Sequence, residues 1–219
     1  MENGDLLVVL MRNRRVGLAC AAVLFTVVSP SVTAASPHYI MDVQLVPAVC
    51  SLSPELAKRR KCLEGFSLNI SGLFPETVSG DCTTQSSAKL QPLQAKVVAR
   101  VMPDENSRAL LWRNIGGCVP MNASQYFRNI INYADRLKVP EELTGQENIV
   151  MPLDALRAKF VKINQSMPAN GVTFNCQKTS KGNLLTSIKV CYHANGKYKA
   201  CPTHVVNTCA KNVLIKGTY

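Results

Sequence analysis

Histidine and cysteine are the residues of this sequence best suited to proton transfer, nucleophilic attack or metal binding. The three histidines, His38, His193 and His204, lie far apart along the chain, and we expect them to be exposed or structural. Many zinc sites are built from Cys-x-x-Cys pairs, and the sequence contains none. The pattern therefore predicts neither a metal site nor a cofactor.

The cysteines indicate disulfides rather than catalysis. Nine are present, and one of them, Cys20, lies in the apolar N-terminal region. The other eight can pair off evenly, which leaves no free thiol for a cysteine–histidine nucleophile. An even number behind an export signal predicts up to four disulfides in an oxidising compartment. These eight residues are Cys50, Cys62, Cys82, Cys118, Cys176, Cys191, Cys201 and Cys209.

An export signal is predicted over residues 1–34. Arginines at positions 12, 14 and 15 precede an apolar run over residues 16–28, and small residues suitable for cleavage follow at 32–34. The apolar run is too short for a membrane span. Met11 begins a complete signal of the same kind, so the true start is either Met1 or Met11. We expect residues 35–219 to form one exported, monomeric domain, periplasmic or extracellular, without a membrane span.

The exported part is strongly basic. The whole chain has 25 basic and 14 acidic residues, of which three and two lie in the first 34, so 22 and 12 remain with a net charge of +10. This charge favours RNA or another polyanion as a partner, although solubility alone is the alternative. The densest basic run, Lys58-Arg59-Arg60-Lys61, could bind phosphates, but such runs are more often solvated loops.

The predicted strands and helices, which must position these residues, indicate an α+β chain. Alternating or β-branched residues predict strands over 39–46, 65–70, 171–176, 184–192 and 213–219. Gly72 and Pro75 mark the end of the strand that begins at residue 65. Helical spacing predicts helices over 88–102, from Asn122 or Ser124 to about 137, and over 153–163 with Asp154 or the preceding turn as its cap. Asn195-Gly196 is typical of a hairpin turn. A three-residue loop over 195–197 would place Cys191 opposite Cys201, although the sequence does not fix the loop length.

Two segments have the frame of an active site without its acids and bases. The first is Leu68-Asn69-Ile70-Ser71-Gly72-Leu73-Phe74-Pro75, and the second is Leu110-Leu111-Trp112-Arg113-Asn114-Ile115-Gly116-Gly117-Cys118. They resemble HGLWP and HEWxKHGxC, the two active-site motifs of the ribonuclease T2 family. The resemblance covers residues 39–219. Within the family, the chain is similar to the bacterial periplasmic, ribonuclease I-like members. It implies a central antiparallel sheet with flanking helices, held by disulfides.

The spacing of the cysteines is also similar to that of the family. The resemblance implies that the final four residues pair as Cys176–Cys209 and Cys191–Cys201. It further implies that the cysteine of the second motif pairs with one shortly after the first, as Cys82–Cys118. Cys50–Cys62 is then the remaining pair, like the N-terminal bridge of the bacterial members.

The family cleaves RNA by transphosphorylation, and its proton-transfer residues are missing here. The first-motif histidine falls at Ser71. The histidine, glutamate, lysine and second histidine of the other motif fall at Leu110, Leu111, Asn114 and Ile115. None of these replacements titrates usefully near neutral pH. We therefore predict no catalytic residue at these positions.

Residues near the motifs could still bind RNA. Phe74 and Trp112 could stack on a base, although we expect core packing, and Arg113 could contact phosphate or be solvated. The leading hypothesis is an inactive ribonuclease T2-like protein that binds RNA or a protein partner. The alternatives are a divergent endoribonuclease that forms 2′,3′-cyclic phosphates with displaced catalytic groups, and an interaction or inhibitor module directed at another protein.

Overall fold

The computed structural model describes residues 37–78 and 80–218. The predicted export signal, Cys20 and both candidate starts lie outside the described residues. Within them, the chain forms one mixed sheet with helices on it, which confirms the predicted α+β class. The strands are β1 (Tyr39–Leu45), β2 (Leu68–Pro75), β3 (Ile149–Pro152), β4 (Val172–Thr179), β5 (Gly182–Tyr192) and β6 (Asn212–Ile215).

The strand order is β2-β1-β5-β6-β3, and β4 pairs with the other edge of β5. The pairs are antiparallel except for a parallel contact between β5 and β6 at Leu184 and Leu214. β1 pairs with β5 only from Ser187 to Tyr192. The first residues of β5 are therefore free on that side to pair with β6. The central sheet is therefore antiparallel, as predicted, with this one parallel contact in the described part of the chain.

Seven α-helices are present in the described residues. They are α1 (Val46–Cys50), α2 (Pro54–Ala57), α3 (Arg60–Leu63), α4 (Pro92–Ala99), α5 (Glu105–Ile115), α6 (Ala123–Arg136) and α7 (Leu153–Ile163). Short 3₁₀ turns occupy Gly116–Cys118 and Glu141–Leu143. None of the helices in the described ranges is both long enough and apolar enough to cross a membrane.

The main core lies between one face of the sheet and the helices. Alternate β1 residues such as Met41 and Val43 point into it, as does the apolar side of α6, which includes Tyr126 and Phe127. α6 begins with a capping box, in which the Asn122 side chain accepts from Gln125 N and the Gln125 side chain accepts from Asn122 N. The predicted cap at Asn122 is therefore confirmed. The opposite face of the sheet carries polar residues such as Asp42 and its strand partner Lys189.

Several predicted boundaries were wrong. The second strand begins later than predicted, because Gly65, with φ +70°, turns the chain after α3, and β2 then continues to Pro75, which the sequence marks as its end. The cap of α7 is Pro152, and Asp154 lies inside the first turn. The last strand ends at Ile215 rather than at the C-terminus.

The helix α5 was missed, although it holds most of the second motif. Its start is marked by Asp104, whose carboxylate accepts a hydrogen bond from Ser107 N at 3.0 Å. Asp104 follows Pro103, and this pair was the sequence signal that a helix begins there.

The four disulfides pair as the resemblance implies: Cys50–Cys62, Cys82–Cys118, Cys176–Cys209 and Cys191–Cys201. The predicted register of the last hairpin was nevertheless wrong. Tyr192 pairs with Tyr198, and Lys199 N donates to Cys191 O, so Cys191 faces Lys199. The loop is residues 194–196, and Cys201 leaves the hairpin to donate its backbone N–H to Asn170 O.

Candidate functional site

The first motif forms a bulge in β2. Asp42 of β1 faces Gly72, and the next residue, Val43, faces Ile70, so Ser71 is an extra residue without a partner in the ladder. The Ser71 hydroxyl donates to the Asp42 backbone oxygen at 3.2 Å. Bulges bend a strand and redirect a side chain. Ser71 is thus placed next to Asp42 and held by a contact with its backbone.

The second motif lies on α5, and its positions differ in exposure. Leu111 and Ile115 are each only 9% exposed and belong to the main core, whereas Leu110 and Asn114 point to solvent. A methyl group on Gly72 would lie 3.0 Å from Leu111 Cδ1, so Leu111 reaches the residue after Ser71. The fold brings Ser71 and Leu111 together and places Ile115 one turn further along the helix.

A polar cavity of about 150 Å³ adjoins Ser71. The sheet contributes Gln44 and Asn69, and the first turn of α5 contributes Asp104 and Ser107. The loop closed by Cys50–Cys62 forms the third wall. The lining residues are Gln44, Arg59, Lys61, Asn69, Ile70, Ser71, Met102, Asp104 and Ser107.

The basic run divides into two pairs of residues. Arg59 and Lys61 line the cavity, and the Lys61 ammonium donates to Gln44 Oε1. Lys58 instead forms an exposed ion pair with Glu55, and Arg60 forms one with Glu64. In each pair the two residues are about one helical turn apart. Only two of the four predicted phosphate-binding residues therefore face the site.

The charges in the cavity affect one another. Burial lowers the pKa of Lys61, and the neighbouring charge of Arg59 lowers it further. Burial alone would raise the pKa of Asp104, but hydrogen bonds from Ser107 and Asn106 and the charge of Arg59 together hold it below its usual range. The cavity thus contains two cations and one carboxylate, an arrangement that favours a ligand with negative charge.

The aromatic candidates lie differently from the cations. Trp112 is 2% exposed, packs against Tyr126 at 5.6 Å between ring centroids, and donates from Nε1 to Ser86 Oγ at 3.0 Å. Its ring is therefore part of the core in this structure. Phe74 is half-buried and covers Gly72, and Arg113 is exposed on α5. These two do not line the cavity beside Ser71.

Asp42 is a site residue that sequence reasoning missed. It faces Gly72 on one side and Lys189 on the other, and its Oδ1 is buried without a hydrogen-bond partner. Burial raises the pKa of this carboxyl group, against the opposing effects of Ser187 and Lys189. The sequence signal for Asp42 was an acidic residue inside the strand predicted from the alternating residues that begin at Tyr39.

His38 and His193 form an unexpected pair. His38 precedes Tyr39 of β1 and His193 follows Tyr192 of β5, and these two tyrosines are strand partners. The ring centroids of the histidines are 5.1 Å apart in an edge-to-face arrangement. Both are exposed, and Glu76 N donates to His38 O. Sequence reasoning treated them as unrelated because the strand pairing was unknown. No cluster of three or more His, Cys, Asp or Glu residues suited to a metal occurs in the described ranges.

Comparison with known proteins was informative at the level of structure. No family model and no curated protein sequence matches the chain. Ribonuclease MC1 from bitter gourd seeds has a TM-score of 0.62 at 17% identity, covering 81% of this chain and 98% of that one. The S3-RNase of Japanese pear has a TM-score of 0.61 at 18% identity, covering 84% and 100%. The SF11-RNase of Nicotiana alata has a TM-score of 0.59 at 17% identity, covering 83% of this chain and 100% of that one.

These neighbours are ribonucleases of the T2 family. They share with this chain the architecture that the two motif frames and the cysteine spacing imply. The chain has the ribonuclease T2-like fold.

Proposed function

We propose that this protein binds RNA and does not cleave it at the position of the T2 family's active site. The observation that carries the proposal is the contact between the two motif segments. Leu111 reaches Gly72 beside Ser71, which supports our assignment of these two positions to one site, and the side chain of Leu111 cannot transfer a proton. A well-placed acid or base is worth about 10²–10⁴ in rate, and leucine or isoleucine can supply neither.

The binding part of the proposal rests on charge. Arg59 and Lys61 flank the cavity next to Ser71. Side-chain amide and hydroxyl groups line most of the rest of it, together with the Asp104 carboxylate and two apolar side chains, Ile70 and Met102. Phosphate groups are recognised by such cations, and side-chain amides can hydrogen-bond to bases. One structural neighbour, a variant of ribonuclease MC1, is described in complex with 5′-GMP. A phosphate-bearing nucleotide is therefore the ligand class that we assign to this cavity.

We also propose where the protein works. Four disulfides are stable in an oxidising compartment. A periplasmic or extracellular location suits these disulfides and the export signal predicted over residues 1–34. The exported part would be one monomeric domain spanning residues 35–219.

The test compares two double variants in RNA-binding and RNA-cleavage assays of the purified, oxidised protein. Arg59→Gln with Lys61→Gln removes the cations of the cavity. Lys58→Gln with Arg60→Gln removes two charges from the same run but outside the cavity, and serves as the matched control. We expect the first pair to weaken binding of single-stranded RNA by about tenfold and the control to have a small effect, since phosphate contacts carry most of the affinity.

The proposal fails on either of two results. If the wild-type protein shows no salt-dependent RNA binding even at low salt, a protein-directed interaction or inhibitor module becomes the better function. If it cleaves RNA with turnover, it is not an inactive member of the fold. Equal effects of the two double variants would remove the cavity from the binding site.

The pairing of His38 with His193 favours a second candidate function, a divergent endoribonuclease. One neutral imidazole would take the proton of the 2′-hydroxyl, whose oxygen attacks phosphorus. The bond from phosphorus to the 5′-oxygen then breaks, and the other ring, as imidazolium, donates a proton to that oxygen. A 2′,3′-cyclic phosphate and a free 5′-hydroxyl result.

The histidine pair is tested by replacing each member separately. If this candidate is correct, His38→Gln and His193→Gln each abolish RNA cleavage by the wild-type protein, while His204→Gln has no effect. Cleavage that survives both replacements would exclude the pair as the catalytic groups.

A further inference from the structure

A second basic concavity lies where the C-terminal ends of α6 and α7 meet the turn formed by residues 194–196. Its volume is about 640 Å³, and it shares no lining residue with the cavity beside Ser71. The side chains that matter for its chemistry are Arg136, Lys138, Lys162, Asn164 and Tyr198.

The concavity has an excess of positive charge. Arg136, Lys138 and Lys162 are exposed, and no carboxylate is found in its lining. In the described part of the chain, none of the three lies within 4 Å of an acidic group. The helix dipole explains cations at the ends of α6 and α7, but Lys138 lies beyond α6 and completes a cluster that the dipole does not require.

The floor of the concavity is fixed by Asn164, which is 3% exposed. Its Oδ1 accepts from Lys138 N and from the Tyr198 hydroxyl, both at 2.9 Å. Its Nδ2 donates to Lys138 O at 2.8 Å and to Phe160 O at 2.9 Å. One buried amide therefore joins the end of α7, the segment after α6 and the last hairpin, so the cationic residues project from a rigid frame.

The turn at Gly196 forms the adjoining wall. Gly196 has φ +79°, and a Cβ there would lie 2.9 Å from the Tyr133 ring and 3.1 Å from Arg136 Nη1. Glycine allows this close approach, and the stacking of Tyr133 on Tyr192 at 4.7 Å holds the hairpin against α6. The position of Arg136 relative to the turn is thus set by packing.

We propose that this concavity is a second binding subsite for the phosphate groups of single-stranded RNA. The inference rests on the proposed function for the identity of the ligand, but it uses different residues. Three cations without acidic neighbours match successive phosphates of a flexible strand. A membrane surface is a poorer match, because the site is concave and Ile163 is the only large aliphatic side chain in its described lining.

The experiment measures RNA affinity against salt concentration for wild-type protein and two triple variants. Arg136→Gln, Lys138→Gln and Lys162→Gln remove the charges of the concavity. Lys96→Gln, Lys178→Gln and Lys211→Gln remove three charges from exposed positions elsewhere. The first triple should weaken binding by about tenfold or more and reduce the slope of log affinity against log salt by about 2, since each single-strand phosphate contact contributes about 0.7. The control should stay close to wild type, and equal behaviour of both triples overturns the subsite.

Amide chemical shifts on RNA titration separate this inference from the proposed function. Shifts at Gly196 and Tyr198 as well as at Ser71 and Ser107 support both sites. Shifts at Ser71 and Ser107 alone overturn the second subsite and leave the proposed cavity in place. Shifts at Gly196 and Tyr198 alone support the subsite and overturn the cavity, and no shift in either group overturns both.

Discussion

Single side chains explain why the acid–base chemistry of the T2 family would be difficult to install at this site. Leu111 and Ile115 are packed into the core, so Leu111→Glu or Ile115→His would bury a polar or charged group among apolar neighbours. An unpaired buried polar group costs on the order of 1–3 kcal/mol. Leu111 and Ile115 are therefore integrated into the packing of the fold, and Ser71 is likewise held by its contact with Asp42 O.

The carboxyl group of Asp42 supplies a prediction at the same scale. Its pKa is raised from the ordinary value of 3.8, so the folded state binds a proton more tightly than the unfolded state does. Stability contributed by the protonated form is present below pH 3.8 and is lost as the pH rises through the higher pKa of the folded state. At neutral pH, Asp42→Asn should therefore raise the free energy of unfolding, on the order of 1 kcal/mol.

Urea unfolding at neutral and at acidic pH measures this effect. The gain from Asp42→Asn should shrink as the pH falls through the raised pKa of the folded state, and it should be lost below the ordinary pKa of 3.8, where the wild-type carboxyl is protonated in both states. Asp135→Asn, at an exposed position on α6, is the control for a change of net charge. A variant less stable than wild type at neutral pH would mean that the ionised carboxylate has a favourable partner.

Among the elements, those with a strong periodic pattern and a clear cap were predictable. α6 has both, and the capping box at Asn122 fixes its start. α7 matches its predicted span because the apolar residues Leu156 and Phe160 recur at helical spacing. α5 was missed although Leu111, Trp112 and Ile115 share its buried side, because Arg108 occupies the next position of that side toward the N-terminus and Leu110 is exposed. The apolar stripe is therefore short and hard to recognise in the sequence.

Contacts between elements could be predicted only through the family resemblance. The disulfide pairs followed from it, whereas the hairpin register depends on the loop length, which Asn195-Gly196 alone does not determine. The pairing of β1 with its neighbours brings His38 to His193. It also brings Ser71 to the cavity that Arg59 and Lys61 line. Residues distant in sequence thus form both candidate sites, and periodicity carries no information about that.

At the scale of the whole molecule, the disulfides hold different parts of the fold. Cys82–Cys118 closes a separation of 36 residues that includes α4 and α5, whereas Cys50–Cys62 closes 12 and holds the loop with Arg59 and Lys61. The loss of chain entropy in the unfolded state grows with loop length, and the two separations differ by about 1 kcal/mol on this basis. The two disulfides should therefore differ in what their removal affects.

Paired alanine variants test this difference. Cys82→Ala with Cys118→Ala should lower the free energy of unfolding by about 2–5 kcal/mol, and by about 1 kcal/mol more than Cys50→Ala with Cys62→Ala. RNA affinity should show the reverse order, because only the shorter loop carries cations of the cavity beside Ser71. Denaturant unfolding and RNA titration under conditions where each variant is folded measure the two effects. If affinity followed stability across both variants, the Cys50–Cys62 loop would have no separate role in positioning Arg59 and Lys61.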